Sequence, residues 1–186
     1  MLKRICLLML SLCLLCGCSG AEVEPEDISE YYGGLSAVTL EADITVNSGV
    51  LAEYSILITR TEEGDRVEIT SPESLAGVRA NILPDKAEVE YEGMAMETLL
   101  PGISGFVPAD AVSGLLNDLD EGIPEACGIT DLEGRKTVAL TYVQELEGMS
   151  ARKLVWLDGA SYTPLRAEFY LDELMVMEVC IENFVS

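Results

Sequence analysis

Between Val38 and Phe184, apolar and polar side chains alternate one by one in segment after segment, and a period of two is the mark of strands with a single buried face. Val38, Leu40, Ala42, Ile44 and Val46 fall on one face, and Thr39, Glu41, Asp43 and Thr45 on the other. Asn47-Ser48-Gly49 supplies a turn, and Ala52, Tyr54, Ile56 and Ile58 repeat the pattern up to Glu63-Gly64-Asp65, so the first two strands form a hairpin. Further strands follow over 66–70, 77–83, 87–91 and 94–97, then over 136–146, 152–158, 165–171 and 174–184. Between the two groups, Val112, Leu115, Leu116 and Leu119 recur at helical spacing, which predicts a helix over Pro108–Asp120. The fold class that follows is mainly β with one main helix. About ten strands curl into a half-barrel, a curved antiparallel sheet whose concave face is covered by that helix.

The start of the chain obeys another pattern. Lys3 and Arg4 precede an apolar run from Ile5 to Leu15, too short to span a bilayer, which takes about 20 residues, but of the size of a secretory signal. Leu15-Cys16-Gly17-Cys18 closes the run. These four residues resemble the lipobox of bacterial lipoproteins, which implies cleavage between Gly17 and Cys18, with Cys18 thioether-linked to a diacylglycerol at the head of the mature chain. Residues 1–17 are then a lipoprotein signal peptide, and the chain is expected on the extracytoplasmic face of the cell membrane, held there by its lipid anchor.

Composition sets the partners. The whole chain carries a net charge of −22, and removal of residues 1–17 leaves nine basic against 33 acidic residues. Such a chain lacks the lysines and arginines that displace counterions from phosphate, so nucleic acid is excluded as a partner. It has no histidine, and only Cys18, Cys127 and Cys180 remain after processing, so the usual zinc and iron–sulfur ligand sets are missing and no metal or cofactor is expected. Residues 18–34 are acidic and close on Gly33-Gly34, which predicts a tether reaching on the order of 50 Å; a short helix over Glu26–Tyr32 is the alternative. The β domain is expected over residues 35–186.

In the last third, Trp156-Leu157-Asp158 leads to Tyr162-Thr163-Pro164, and two long strands end on Asn183-Phe184. This order resembles the lipoprotein-carrier (LolA-like) fold of bacterial envelope proteins. The stretches SPESLAGV and YEGMAMETLLP look like clostridial-type lipoproteins of that fold, which implies a role in sporulation or germination. The resemblance implies an apolar cavity on the concave side, lined here by Tyr54, Ile56, Trp156, Phe169 and Met177, that is either filled by packing or open to a lipid acyl chain. No position matches the carrier's functional arginine, and the chain is anchored itself, so a shuttle role is not expected.

Cys127 and Cys180 are candidates for a disulfide closing a loop of about 50 residues, worth roughly 4 kcal/mol in the chain-entropy account; unpaired thiols or a bridge between chains are the alternatives. Asp118, Asp120 and Glu121 lack the full spacing of a calcium loop. Nothing fixes a catalytic pair at a defined separation, so the chain is expected not to be an enzyme. The function expected is a non-enzymatic scaffold for a protein partner of the cell envelope, with a lipid-binding module as the alternative.

Overall fold

The alternating segments pair into one open sheet of eleven strands. The computed structural model describes residues 23–47, 49–83, 86–99, 105–146 and 148–186, so the signal segment, Cys18 and the first residues of the acidic stretch lie outside the described residues. The strands are β1 (Val38–Asn47), β2 (Leu51–Thr61), β3 (Gly64–Ser71), β4 (Arg79–Ile82), β5 (Lys86–Tyr91), β6 (Met94–Leu99), β7 (Ala126–Leu132), β8 (Arg135–Leu146), β9 (Met149–Asp158), β10 (Pro164–Leu171) and β11 (Leu174–Val185). Their spatial order is β6-β5-β4-β3-β2-β1-β11-β10-β9-β8-β7, with neighbours antiparallel throughout.

Two meanders therefore meet at a seam where β1 pairs β11, Ile44 opposite Val179. Bulges at Glu41/Ala42, Ser55/Ile56 and Phe169/Tyr170 sit near that seam, and an extra residue on one strand bends it. The sheet curves there. Strands β6 and β7 follow each other in sequence yet lie at opposite edges, so the connection must cross the whole width of the sheet. Helix α2 (Ala111–Glu121) is the middle of that crossing. Its Val112, Leu115, Leu116 and Leu119 are all at most 1% exposed against the inner faces of the strands. Each such side chain contributes about 1.5–3 kcal/mol on burial.

Two elements settle or depart from the sequence expectation. The second half of the acidic stretch is helix α1 (Pro25–Gly33), the alternative read over Glu26–Tyr32, and not extended chain. Proline at its first turn presets the backbone, and Ile28 and Tyr32, one turn apart, enter the core at 1% and 5% exposure. The eleventh strand, β7, lies in the PEACGIT segment that reads as irregular in the sequence, because an edge strand that is mostly exposed acquires no apolar alternation.

Candidate functional site

Charged side chains on the inner face pin α2 in place. Arg60 of β2 forms a paired salt bridge with Asp65 of β3 at 2.6 Å and also donates to the Ser113 carbonyl and to Asn117 Oδ1 of α2. From the other side Lys153 of β9 reaches Asp118 of α2 at 2.6 Å, its ammonium near the rings of Phe106 and Phe169. Burial pushes the Asp118 carboxyl up even though Lys153 opposes the rise. Asp110, at the head of α2, is also pushed up by burial, against the pull of the Gly105 and Val107 N–H groups it accepts from. Asp118 is thus a strut rather than part of an ion loop. Among the described residues no group of three or more acidic or cysteine side chains converges on a common point.

The struts run from β2 to β9, and the strands beyond β2 extend past the helix. Under them the inner face carries a shallow groove. Ile56, Val67, Ile69, Ala80 and Val89, with Tyr54 at one end, line a groove of about 310 Å³, closed on its flanks by Leu75 and by Val107–Ala109. Cross-strand partners share a face of a sheet, and the β5–β6 register sets Val89 beside Met96 and Tyr91 beside Met94. The apolar surface therefore continues from the groove onto Met94 and Met96, 68% and 67% exposed, at the edge of the sheet.

Of the residues expected to line a cavity, Tyr54 and Ile56 do so. Phe169 and Met177 are on the same concave face but lie buried in packing beneath the helices. Trp156 is on the opposite face. The inner set of β9 is Ala151, Lys153, Val155 and Leu157, so Trp156 points outward, where the Arg166 guanidinium lies 6.0 Å from its ring. A buried lysine in the inward set is what misleads the eye. On that convex face Arg166 bridges Glu168 at 2.8 Å and Glu178 at 2.7 Å, and Tyr170 donates to Glu168.

Of the alternatives for Cys127 and Cys180, the structure has unpaired thiols. Cys127 and Cys180 are free thiols, on β7 and β11, four strand spacings or about 19 Å apart, against an upper limit near 7 Å between bridged Cα atoms. Cys127 packs toward the core and donates to the Val23 carbonyl, whereas Cys180 lies beside Glu178 on the convex face. Burial and neighbouring glutamates push both thiols up, away from the thiolate form.

The Trp-Leu-Asp and Tyr-x-Pro residues build a turn. Asp158 accepts from the N–H groups of Ala160 and Ser161 and from Arg135, and its carboxyl is held down at about 2, chiefly by those two backbone donors. Tyr162 then adopts φ +56°, which turns its carbonyl to the Tyr32 hydroxyl at 2.7 Å, while Tyr31 meets the Tyr162 ring and Tyr32 the Phe184 ring edge-on. These residues form the socket that receives α1, a function of architecture that the sequence alone did not disclose.

No family model matches the sequence and no curated protein matches it. Solved structures share its fold. An uncharacterized conserved protein from Thermus thermophilus aligns over 86% of this chain and 83% of its own at 13% identity, with a TM-score of 0.54. A DUF1329 family protein from Desulfovibrio piger aligns over 86% and 90% at 14% identity, with a TM-score of 0.50. A LolA superfamily protein from Nitrosomonas europaea aligns over 87% and 93% at 15% identity, with a TM-score of 0.45. The likeness is one of fold, a curved antiparallel sheet with helices on its concave face, as expected from the sequence.

Proposed function

We propose that this chain is a non-enzymatic binding module of the cell envelope, attached to the extracytoplasmic face of a membrane through a diacylglycerol on Cys18, whose groove under β2–β5 receives an apolar part of a partner protein. The observation that carries the reading is the groove itself, an apolar surface left open by α2 and continuous with Met94 and Met96 at the sheet edge. Its floor of Ile56, Val67 and Ala80 is 3–6% exposed, while Leu75, Met94 and Met96 at its margin are exposed; apolar side chains grouped at the rim of a groove are a mark of binding, and thioether side chains adapt to varied partners. The sequence resemblance extends the proposal to a role in sporulation or germination.

A second reading, an acyl chain as ligand, is favoured by one feature: the groove lining carries no charged group, and its volume falls at the lower end of the 300–1,000 Å³ range of small-molecule sites. Protein purified from its native membrane and stripped with organic solvent decides between the two. The partner-protein reading expects no stoichiometric lipid beyond the acyl groups on Cys18, whereas one bound lipid per chain, lost on Val67→Glu, would replace it with the lipid-binding reading.

A further inference from the structure

β6 ends the sheet: on its far side no strand pairs with it among the described residues. Sheet edges left unguarded pair with other chains, and proteins ordinarily blunt them with lysine, proline, a bulge or a covering loop. The run Met94-Ala95-Met96-Glu97 has no lysine and no proline, its register against β5 is unbroken, and its side chains are exposed. At the opposite edge the inner side of β7 is shielded by the chain entering α1, where Cys127 meets the Val23 carbonyl. The two faces of β6 differ in chemistry. Met94 and Met96 continue the concave groove, while Ala95 and Glu97 lie on the convex face with Glu88 and Glu90 of β5. Residues 86–99 hold four glutamates against one lysine, and Lys86 is already engaged by Glu88 and Glu97 at 3.2 and 2.6 Å.

We infer that the β6 edge is a strand-addition site, and that its occupant is an extended segment of the partner protein in which apolar and basic residues alternate. This rests on the partner-protein reading above. A strand laid beside Met94–Glu97 places every second side chain on the concave side, against Met94, Met96 and the groove, and the intervening ones on the convex side, beside Glu88, Glu90 and Glu97. Apolar residues suit the first set and lysine or arginine the second. A second copy of this chain brings its own glutamates to the same edge on a body of net charge −22, so like charge disfavours self-pairing.

The test uses fluorescein-labelled six-residue peptides, matched to the length of β6, and anisotropy at physiological salt. Alternating Val-Lys is compared with the same composition in blocks and with alternating Val-Glu. The alternating Val-Lys peptide is expected to bind about tenfold or more tighter than either control, and Met94→Lys/Met96→Lys to abolish that advantage. Gly128→Lys/Thr130→Lys on β7 adds the same charge at the other edge and is expected to leave it intact, and circular dichroism confirms that both variants are folded. Equal binding of the alternating and blocked peptides, or equal loss in the two lysine variants, reduces the effect to bulk charge and overturns the proposal. A domain that sediments as a dimer and becomes monomeric on Met94→Lys/Met96→Lys makes the occupant a second copy and overturns it too. If binding survives Met94→Lys/Met96→Lys but is lost on Val67→Glu, the groove reading stands and the edge falls.

Discussion

Single side chains in this protein do work that their types conceal. Lys153 is charged, yet its side chain is 8% exposed, whereas its partner Asp118 remains 26% exposed and can take a proton because burial already pushes its carboxyl up. The two ends of the bridge are therefore unequal. Asp118→Ala strands a buried ammonium and is expected to cost about 3 kcal/mol in urea unfolding, and Lys153→Met markedly less, since a lone buried charge is the expensive remnant of a broken pair. Equal losses would contradict this account. Asp158 gives the pH dependence. Its folded carboxyl titrates near 2, below the ordinary 3.8, so the stability it contributes is fully present above about pH 4 and is lost as the pH falls through 2. Asp158→Ala is expected to lower stability by about 1 kcal/mol at pH 7, as for loss of a capping acceptor, and thermal scans should show the gap from the native protein closing by pH 2. Residue-scale legibility was accordingly mixed. Ile56 was readable as inward-facing because its strand alternates cleanly, but on β9 a lysine occupies the inward set and a tryptophan the outward one, and composition alone then assigns the faces the wrong way round.

Among the elements, strands whose apolar side chains alternate were legible, exposed β6 with Met94 and Met96 included, and the one without such alternation was not. β1, β2 and β8–β11 each press an apolar face on the helices and carry that imprint in sequence, whereas β7, with little buried, carries none. α1 was legible only as the alternative to a tether, for a different reason. Its apolar contribution is two residues, Ile28 and Tyr32, set among acids, and only the socket of Tyr162 and Phe184 shows why those two suffice. Ile28→Ala is expected to cost about 3 kcal/mol, the usual penalty for emptying a filled core site. Tyr32→Phe removes only the hydroxyl donated to the Tyr162 carbonyl and should cost about 1 kcal/mol. A fold untouched by Ile28→Ala would return α1 to the role of a tether.

At the scale of the molecule, the proposed anchor and the groove belong to opposite ends of the sheet order. The chain enters the fold at Val23 beside β7, and four residues separate it from Cys18, five steps that reach about 17 Å. The groove and the β6 edge lie at the far end of the sheet order, so an anchored protein presents them away from its attachment point. Cys18→Ser is expected to move the protein from the detergent phase to the aqueous phase of a phase partition, or to leave its signal segment uncleaved, and to abolish fatty-acid labelling; unchanged partition and labelling would refute the anchor. The claim that the open groove is where a partner binds is tested most directly by photo-cross-linking in living cells, with benzoylphenylalanine placed at Leu75 on the groove flank, at Met96 on the edge, or at Trp156 on the convex face. Leu75 and Met96 are predicted to yield the same single protein adduct and Trp156 none; adducts from Trp156 alone, or no adduct from the two groove positions, would contradict the account.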